Sequence, residues 1–438
     1  MGTQTRRNVL QIAAATTLTG LSSVTSAVEE QSIPRRAWRY RTNDAVDSSP
    51  TVVDGTVYVG SDDGHVYALD AGSGERRWRF RPALNVDNWI ETAPTVIDGT
   101  VYVSIEAPTG GDLDAGVFAL NAETGEEYWR YAIDEPWMRS SVTAADGSLF
   151  VGGYDHAVHA IDARTGTEQW TVDTGDVVRS SPTVVDGTVY VGGADGTCYA
   201  LDATSGDDEW TYELTASIAA SPTLFDGVVY LGDSDGTVVG LDAKTGDEMW
   251  IDRPSEGFVS SPTVTAEAVF VGGVDGNVYA IDPDSGAMHW HVETDGDVAS
   301  SPTVVAGTVI VGSTDGTVYA IDSSSGEKRW TVETGGAVVS SPTVVEGRAF
   351  VGSHDGYLYA IDTGLDGSSE DSRVRLGTLG HHHDWASTAG AFDQPVERSA
   401  DGSSPSRRTV AGVVTGTAVA LSGAAYTLGR RFSARDRS

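Results

Sequence analysis

The sequence predicts an all-β fold: an eight-bladed β-propeller of four-stranded blades, its ring closed by an N-terminal strand that completes the last blade, followed by a C-terminal transmembrane helix. Three observations predict the ring. First, a unit of about 40 residues recurs, most plainly as "SSPTVVDGTVYVGSDDGHVYALDAGSGERRW" (48–78), "SSPTVVDGTVYVGGADGTCYALDATSGDDEW" (180–210) and "SSPTVVAGTVIVGSTDGTVYAIDSSSGEKRW" (300–330). Second, each unit holds four short runs rich in Val, Tyr and Thr, with no helix between them. Third, the last unit, "FVGSHDGYLYAIDTGLDGSSED" (350–371), lacks the Trp that ends the others, whereas Trp38 precedes the first unit.

Taken in order, the chain begins with "TRRNVL" (5–10), a weakly apolar run to about Val24, and the small residues Thr25, Ser26 and Ala27. Residues 1–27 resemble a twin-arginine export signal, with cleavage expected after Ala27. Next comes "PRRAWRYRTNDAVDSSP" (34–50), where Trp38 stands before Ser48 as Trp170 stands before Ser180. The outer strand of the eighth blade is therefore expected here, and the propeller over residues 33–363. Closure removes the exposed sheet edge that an open array would leave.

Inside a unit, "SPTVV", "TVYVG", "VYALD" and the Trp-bearing run are the four strands. "DG" and "[ST]G" dipeptides separate them, their Gly supplying the positive φ of tight turns. The motif A-x-D-x-x-[ST]-G-x-x-x-W stands at Ala68, Asp70, Gly74 and Trp78, again at Ala160, Asp162, Gly166 and Trp170, and at Ala200, Asp202, Gly206 and Trp210. It resembles the tryptophan-docking motif of the PQQ-like, or quinoprotein-type, propeller family. Asn121 replaces the Asp in the second copy and Gly240 the Ala in the fifth. The resemblance, over residues 34–362, implies a structural role for Trp38, Trp78, Trp129, Trp170, Trp210, Trp250, Trp290 and Trp330. A flat indole can cover the Gly turn of the next blade without a clash.

After the ring, residues 364–408 are rich in Ser, Gly and Asp and read as a disordered linker. Residues 409–429 carry no charge; as a helix they would span roughly 31 Å, about a bilayer core. The tail 430–438 holds Arg430, Arg431, Arg435 and Arg437, which places it in the cytoplasm and the propeller outside the membrane. The triplet His381, His382, His383 reads as a polar spacer, and no metal site is expected.

Composition narrows the function classes. The net charge is −35, the pI about 4.3, and the only lysines are Lys244 and Lys328. This balance resembles haloarchaeal proteins and argues against nucleic acid, which requires basic stripes. The lone Cys198 cannot form an internal disulfide.

Function should lie where the repeats differ. The residue before each "SSP" or its equivalent reads Asp47, Glu91, Arg139, Arg179, Ala219, Val259, Ala299, Val339, and the residue before that is apolar in every unit. Trp89 and Trp137 sit close to the charged members. Asp47, Glu91, Arg139 and Arg179, with the two tryptophans, are the candidate binding patch at the channel mouth; an ion-pair network within the ring is the alternative. The family resemblance implies two functions. One is a non-catalytic, cell-surface scaffold, a monomeric propeller binding a protein or glycan with no cofactor. The alternative is a PQQ-dependent oxidoreductase of alcohols or sugars, needing PQQ and Ca2+. The paired cysteines of many such enzymes are absent.

Overall fold

The "DG" dipeptides act as their chemistry predicts. Asp54 and Gly55 have φ of 48° and 68°, successive positive values that suit a type I′ turn. They turn Thr51–Val53 back onto Thr56–Gly60, with Val53 opposite Thr56. Val66–Asp70 and Arg76–Phe80 complete this first blade. Between them, Asp70 Oδ1 accepts the N–H groups of Gly72 and Ser73 at 3.1 and 2.9 Å. Asn121 Oδ1 accepts the equivalent pair from Glu123 and Thr124, so the Asn in the second copy keeps the turn.

A computed structural model describes residues 35–82, 88–107, 115–133, 135, 137–369 and 408–409. It contains eight antiparallel sheets, each built on four strands, and their innermost strands adjoin in chain order, the first meeting the last. The eighth sheet is made from both ends of the ring, in the order Arg35–Arg41, Tyr357–Asp362, Arg348–Ser353, Thr343–Val345. Trp38 lies opposite Ala360, so the expected closure holds. Arg408–Thr409 adds a short parallel pairing to the outer edge of the third blade. Among the described residues no helix is long and apolar enough to cross a membrane. The expected signal at 1–27, the expected linker from 370 to 407 with its histidine triplet, all of the expected span 409–429 but Thr409, and the expected tail 430–438 lie outside the described residues.

The core is divided among the eight blade-to-blade contacts, each a separate apolar cluster. Trp38 shows the recurring join. Its ring lies 2.7 Å from where a Cβ on Gly74 would sit, and Gly74 has φ +73°. Only glycine satisfies both demands. The indole N–H reaches Ala71 O at 3.0 Å, and the ring leans on Phe350. Trp78, Trp129, Trp170, Trp210, Trp250 and Trp290 cover the matching glycines of the blades that follow them.

Trp330 departs from this pattern. Asp366 stands where the other blades have the docking glycine, the Trp330 Nε1 is buried without a hydrogen-bond partner as that of Trp129 is, and Leu365 packs in the Trp330 cluster. The last blade continues "DTGLDG" where its siblings turn. The chain there lies back on the blade's inner hairpin: Gly347 N–H donates to Gly367 O at 2.8 Å and Ser369 N–H to Val344 O at 2.7 Å. The boundary expected at residue 363 therefore shifts to at least Ser369, and residues 364–369 belong to the ring rather than to a linker.

Candidate functional site

Six of the eight innermost strands open with Ser-Pro-Thr, blade 2 with Ala-Pro-Thr and blade 3 with Ser-Val-Thr, and the structure gives the Thr and the Ser each a role. Thr51 Oγ1 donates to Pro94 O of the next blade at 2.6 Å, and the same bond recurs at every joint until Thr343 reaches Pro50 at 2.7 Å. Beside it runs a second circle, in which the Ser141 N–H donates to Ser181 Oγ, Ser181 to Ser221, and onward to Ser341 and Ser49. Ala93 N–H donates to Ser141 but offers no hydroxyl in return, which is the one gap in this circle. These serines, with Glu91 and Arg139, line a central cavity of about 130 Å³. Ser221→Ala should leave the Ser181 N–H without its acceptor and cost about 1–3 kcal/mol. Chemical denaturation checks this; an unchanged midpoint would remove the circle's structural role.

The predicted apolar position behaves as a buried anchor: Val46, Ile90, Met138 and their counterparts are all within 1% of complete burial. Ile90 presses on Gly60, where a Cβ would come within 2.4 Å. The next residue is thereby held at the channel mouth beside the preceding blade. There Asp47 meets His354, with Nε2 2.8 Å from Oδ1. Arg139 pairs with Glu91 at 2.8 Å and lies 3.9 Å from Glu106. Arg179 Nε donates to Tyr154 Oη at 2.9 Å, its guanidinium 5.2 Å from the ring centroid. Asp47, Asp62 and Glu91 each place a carboxylate oxygen within 4.8 Å of the others, a grouping that could hold a cation.

All four charged candidates thus meet neighbours across blade joints, and Glu91–Arg139 is an ion pair of the kind weighed as the alternative. Trp89 and Trp137 are half-buried and pack on each other at 5.7 Å and 49°, forming one aromatic ledge. Trp89 also exchanges both backbone hydrogen bonds with Glu106, at 3.2 and 3.0 Å. Asp62, Glu106, Tyr154 and His354 were not anticipated. They occupy one register position, just past the second strand, where the other blades have Ala194, Ser234, Val274 and Thr314. Comparing that column across the repeats would have found them.

Glu106 is the most perturbed carboxyl among the described residues. Its side chain is fully buried and neither oxygen accepts a hydrogen bond. Burial, and then the charge of Glu91, push its carboxyl up to about 8, against the opposing pull of Arg139. Near neutral pH it is a proton-bearing carboxyl beside an ion pair.

The family model described as "Outer membrane protein assembly factor BamB" matches residues 24–131, 95–183, 113–273, 213–305 and 274–424. The chain belongs to this PQQ-like repeat family. Crystallographic BamB from Moraxella catarrhalis is similar with a TM-score of 0.63 at 22% identity, covering 75% of this chain and 99% of that one. Quinohemoprotein alcohol dehydrogenase from Comamonas testosteroni gives a TM-score of 0.61 at 18% identity, covering 76% of this chain and 77% of that one. These likenesses show the fold. In sequence, the same dehydrogenase is 28% identical over 147 residues, 31% of this chain and 21% of the enzyme. The serine/threonine-protein kinase AfsK of Streptomyces coelicolor is 31% identical over 168 residues, 32% of this chain and 21% of the kinase. The matches span about a fifth of the length of these curated relatives.

Proposed function

We propose that this chain is a non-catalytic scaffold, exported and held at the cell surface, that binds a protein partner through the channel mouth of blades 8, 1, 2, 3 and 4. The observation that carries the reading is the Trp89–Trp137 ledge beside the Glu91–Arg139 pair. Aromatic rings next to an arginine are the residue types that dominate binding energy at protein interfaces. The description of the family model, an outer-membrane assembly factor, points the same way. A glycan is the other partner that stacked indoles would suit.

The oxidoreductase reading draws on the dehydrogenase matches and on the Asp47–Asp62–Glu91 grouping, which would be its calcium site. The cofactor itself fits poorly. Pyrroloquinoline quinone is a flat tricarboxylate, whereas this mouth presents the carboxylates Asp47, Asp62 and Glu91, Arg139 is already engaged by Glu91, and Arg179 lies on Tyr154. The central cavity, about 130 Å³, is also below the roughly 300 Å³ at which small-molecule sites begin.

Partner capture from native membrane extracts tests the scaffold reading. Trp89→Ser with Trp137→Ser should weaken capture at least about tenfold, since each is placed as an anchor worth more than 1 kcal/mol, while melting stays close to that of the unaltered protein. Equal capture by both proteins would show that the mouth is not the binding surface.

A further inference from the structure

The outer rim of the ring carries a charge gradient that the channel mouth does not require, although Arg77 is tied to Asp70 of its own blade and Arg36 to Glu333 O. The outermost strand of blade 8, Arg35–Arg41 "RRAWRYR", has a net charge of +4, and that of blade 1, Arg76–Phe80 "RRWRF", has +3. Blade 2 follows with Glu127–Ala132 "EYWRYA" at zero, and blade 3 with Glu168–Asp173 "EQWTVD" at −2. Blade 4 has Asp208–Glu213 "DEWTYE" at −3, and blade 5 has Glu248–Asp252 "EMWID" at −2. Met288–Glu293 "MHWHVE" of blade 6 stands at −1, and Lys328–Glu333 "KRWTVE" of blade 7 at +1. In a ring of eight, blade 8 lies across from blade 4, and blade 1 from blade 5. The basic and acidic edges are therefore diametrically opposed.

Both edges are open. Among the described residues no further strand pairs with the outermost strands of blades 8, 1, 4 or 5. The basic edge is exposed and stacked with aromatics: Arg39 lies 4.3 Å from the Tyr357 ring centroid, and Arg76 donates to Tyr40 Oη at 3.3 Å. The acidic edge and its neighbour expose Met249, Ile251 and Met288, each about half accessible. Glu248 there accepts the Tyr212 hydroxyl at 2.6 Å, tying blades 4 and 5 together. A chain with net charge −35 has no need to gather arginines on two adjacent strands for solubility.

We propose that the rim is a self-association surface, the Arg-rich edge of blades 8 and 1 in one copy docking on the acidic, Met-bearing edge of blades 4 and 5 in a second copy. Such an interface joins different surfaces on the two copies, and its opposed placement propagates rows rather than closed dimers. Contact pairs at about 4 Å lie within the screening length of about 8 Å at physiological salt, whereas the mutual repulsion of whole molecules acts over longer distances and is damped. This surface is separate from the channel mouth, so it stands whether or not the mouth binds a protein.

Sedimentation velocity of the full chain in about 0.15 to 0.5 M salt tests it. The unaltered protein should form concentration-dependent species larger than a monomer. A basic-edge variant, Arg39→Glu with Arg41→Glu and Arg79→Glu, should associate at least about tenfold more weakly. An acidic-edge variant, Asp208→Arg with Glu209→Arg and Glu213→Arg, should do likewise. Mixing the two variants should restore association, because the intact acidic edge of the first meets the intact basic edge of the second and the two reversed edges also match, and restoration excludes misfolding as the cause of either loss. A protein that stays monomeric at every concentration would overturn the proposal. So would a basic-edge variant that associates as well as the original, or phosphatidylglycerol vesicles that bind the arginine edge while the protein alone remains monomeric.

Discussion

Deletion of residues 35–41 is expected to abolish the cooperative melting transition, and Trp38→Ala alone to cost about 3 to 5 kcal/mol, the usual range for cutting a packed Trp to Ala. The deletion removes the fourth strand of the last blade and leaves Tyr357–Asp362 as an open edge. It also uncovers Gly74, so the contact between the last and first blades loses its lid. The substitution keeps the strand but loses the packing on Phe350 and the hydrogen bond to Ala71 O. Calorimetry of both proteins checks this. A deletion variant that melts in a single transition at the original temperature would mean that the ring does not depend on its clasp.

Glu106→Gln is expected to flatten the pH dependence of stability between about pH 5 and 8. The folded carboxyl is raised from 4.5 to about 8 by burial and by Glu91. Within that window the folded protein therefore holds a proton that the unfolded chain has released. By linkage, stability is fully present below the unfolded value and falls as pH rises through the folded one. The loss is on the order of a few kcal/mol, because each tenfold difference in proton affinity between the folded and unfolded carboxyl is worth about 1.4 kcal/mol. The lowered carboxyls of Asp70 and Asp322, held by Arg77 and Ser73 and by Ser324 and Arg329, act in the opposite sense. Their effect is confined to more acidic pH, below the ordinary Asp value of 3.8. Melting curves of the variant and the original protein at pH 5, 6.5 and 8 separate the two. Parallel slopes would place the buried charge elsewhere.

Much of the ring was legible because a propeller repeats its physics. The paired turns at Asp54 and Gly55, the spacing of the tryptophans and the missing eighth Trp follow from local rules that each unit obeys again. The Ser and Thr circles were not legible as such. "SPT" reads as the start of a strand, and only closure brings Thr343 to Pro50 and Ser341 to Ser49. At the mouth, the anchors Val46 and Ile90 and the charged residues after them were visible from alternation. Their partners lie in the neighbouring blade, so His354 meets Asp47 from some three hundred residues away and Glu106 lay hidden at the edge of an irregular insertion. Trp330 shows the converse, a motif intact in sequence whose docking turn is absent from the next blade.

The channel mouth is the centre of the account, and its occupancy can be measured directly. The purified full chain is titrated with pyrroloquinoline quinone and calcium while its melting temperature and its dye-linked oxidation of alcohols and sugars are followed. A scaffold whose mouth presents the carboxylates Asp47, Asp62 and Glu91 should show neither a quinone-dependent rise in melting temperature nor turnover. A saturable rise that requires both additives, accompanied by substrate oxidation and lost on Glu91→Gln, would contradict the scaffold reading and make the mouth a quinone site.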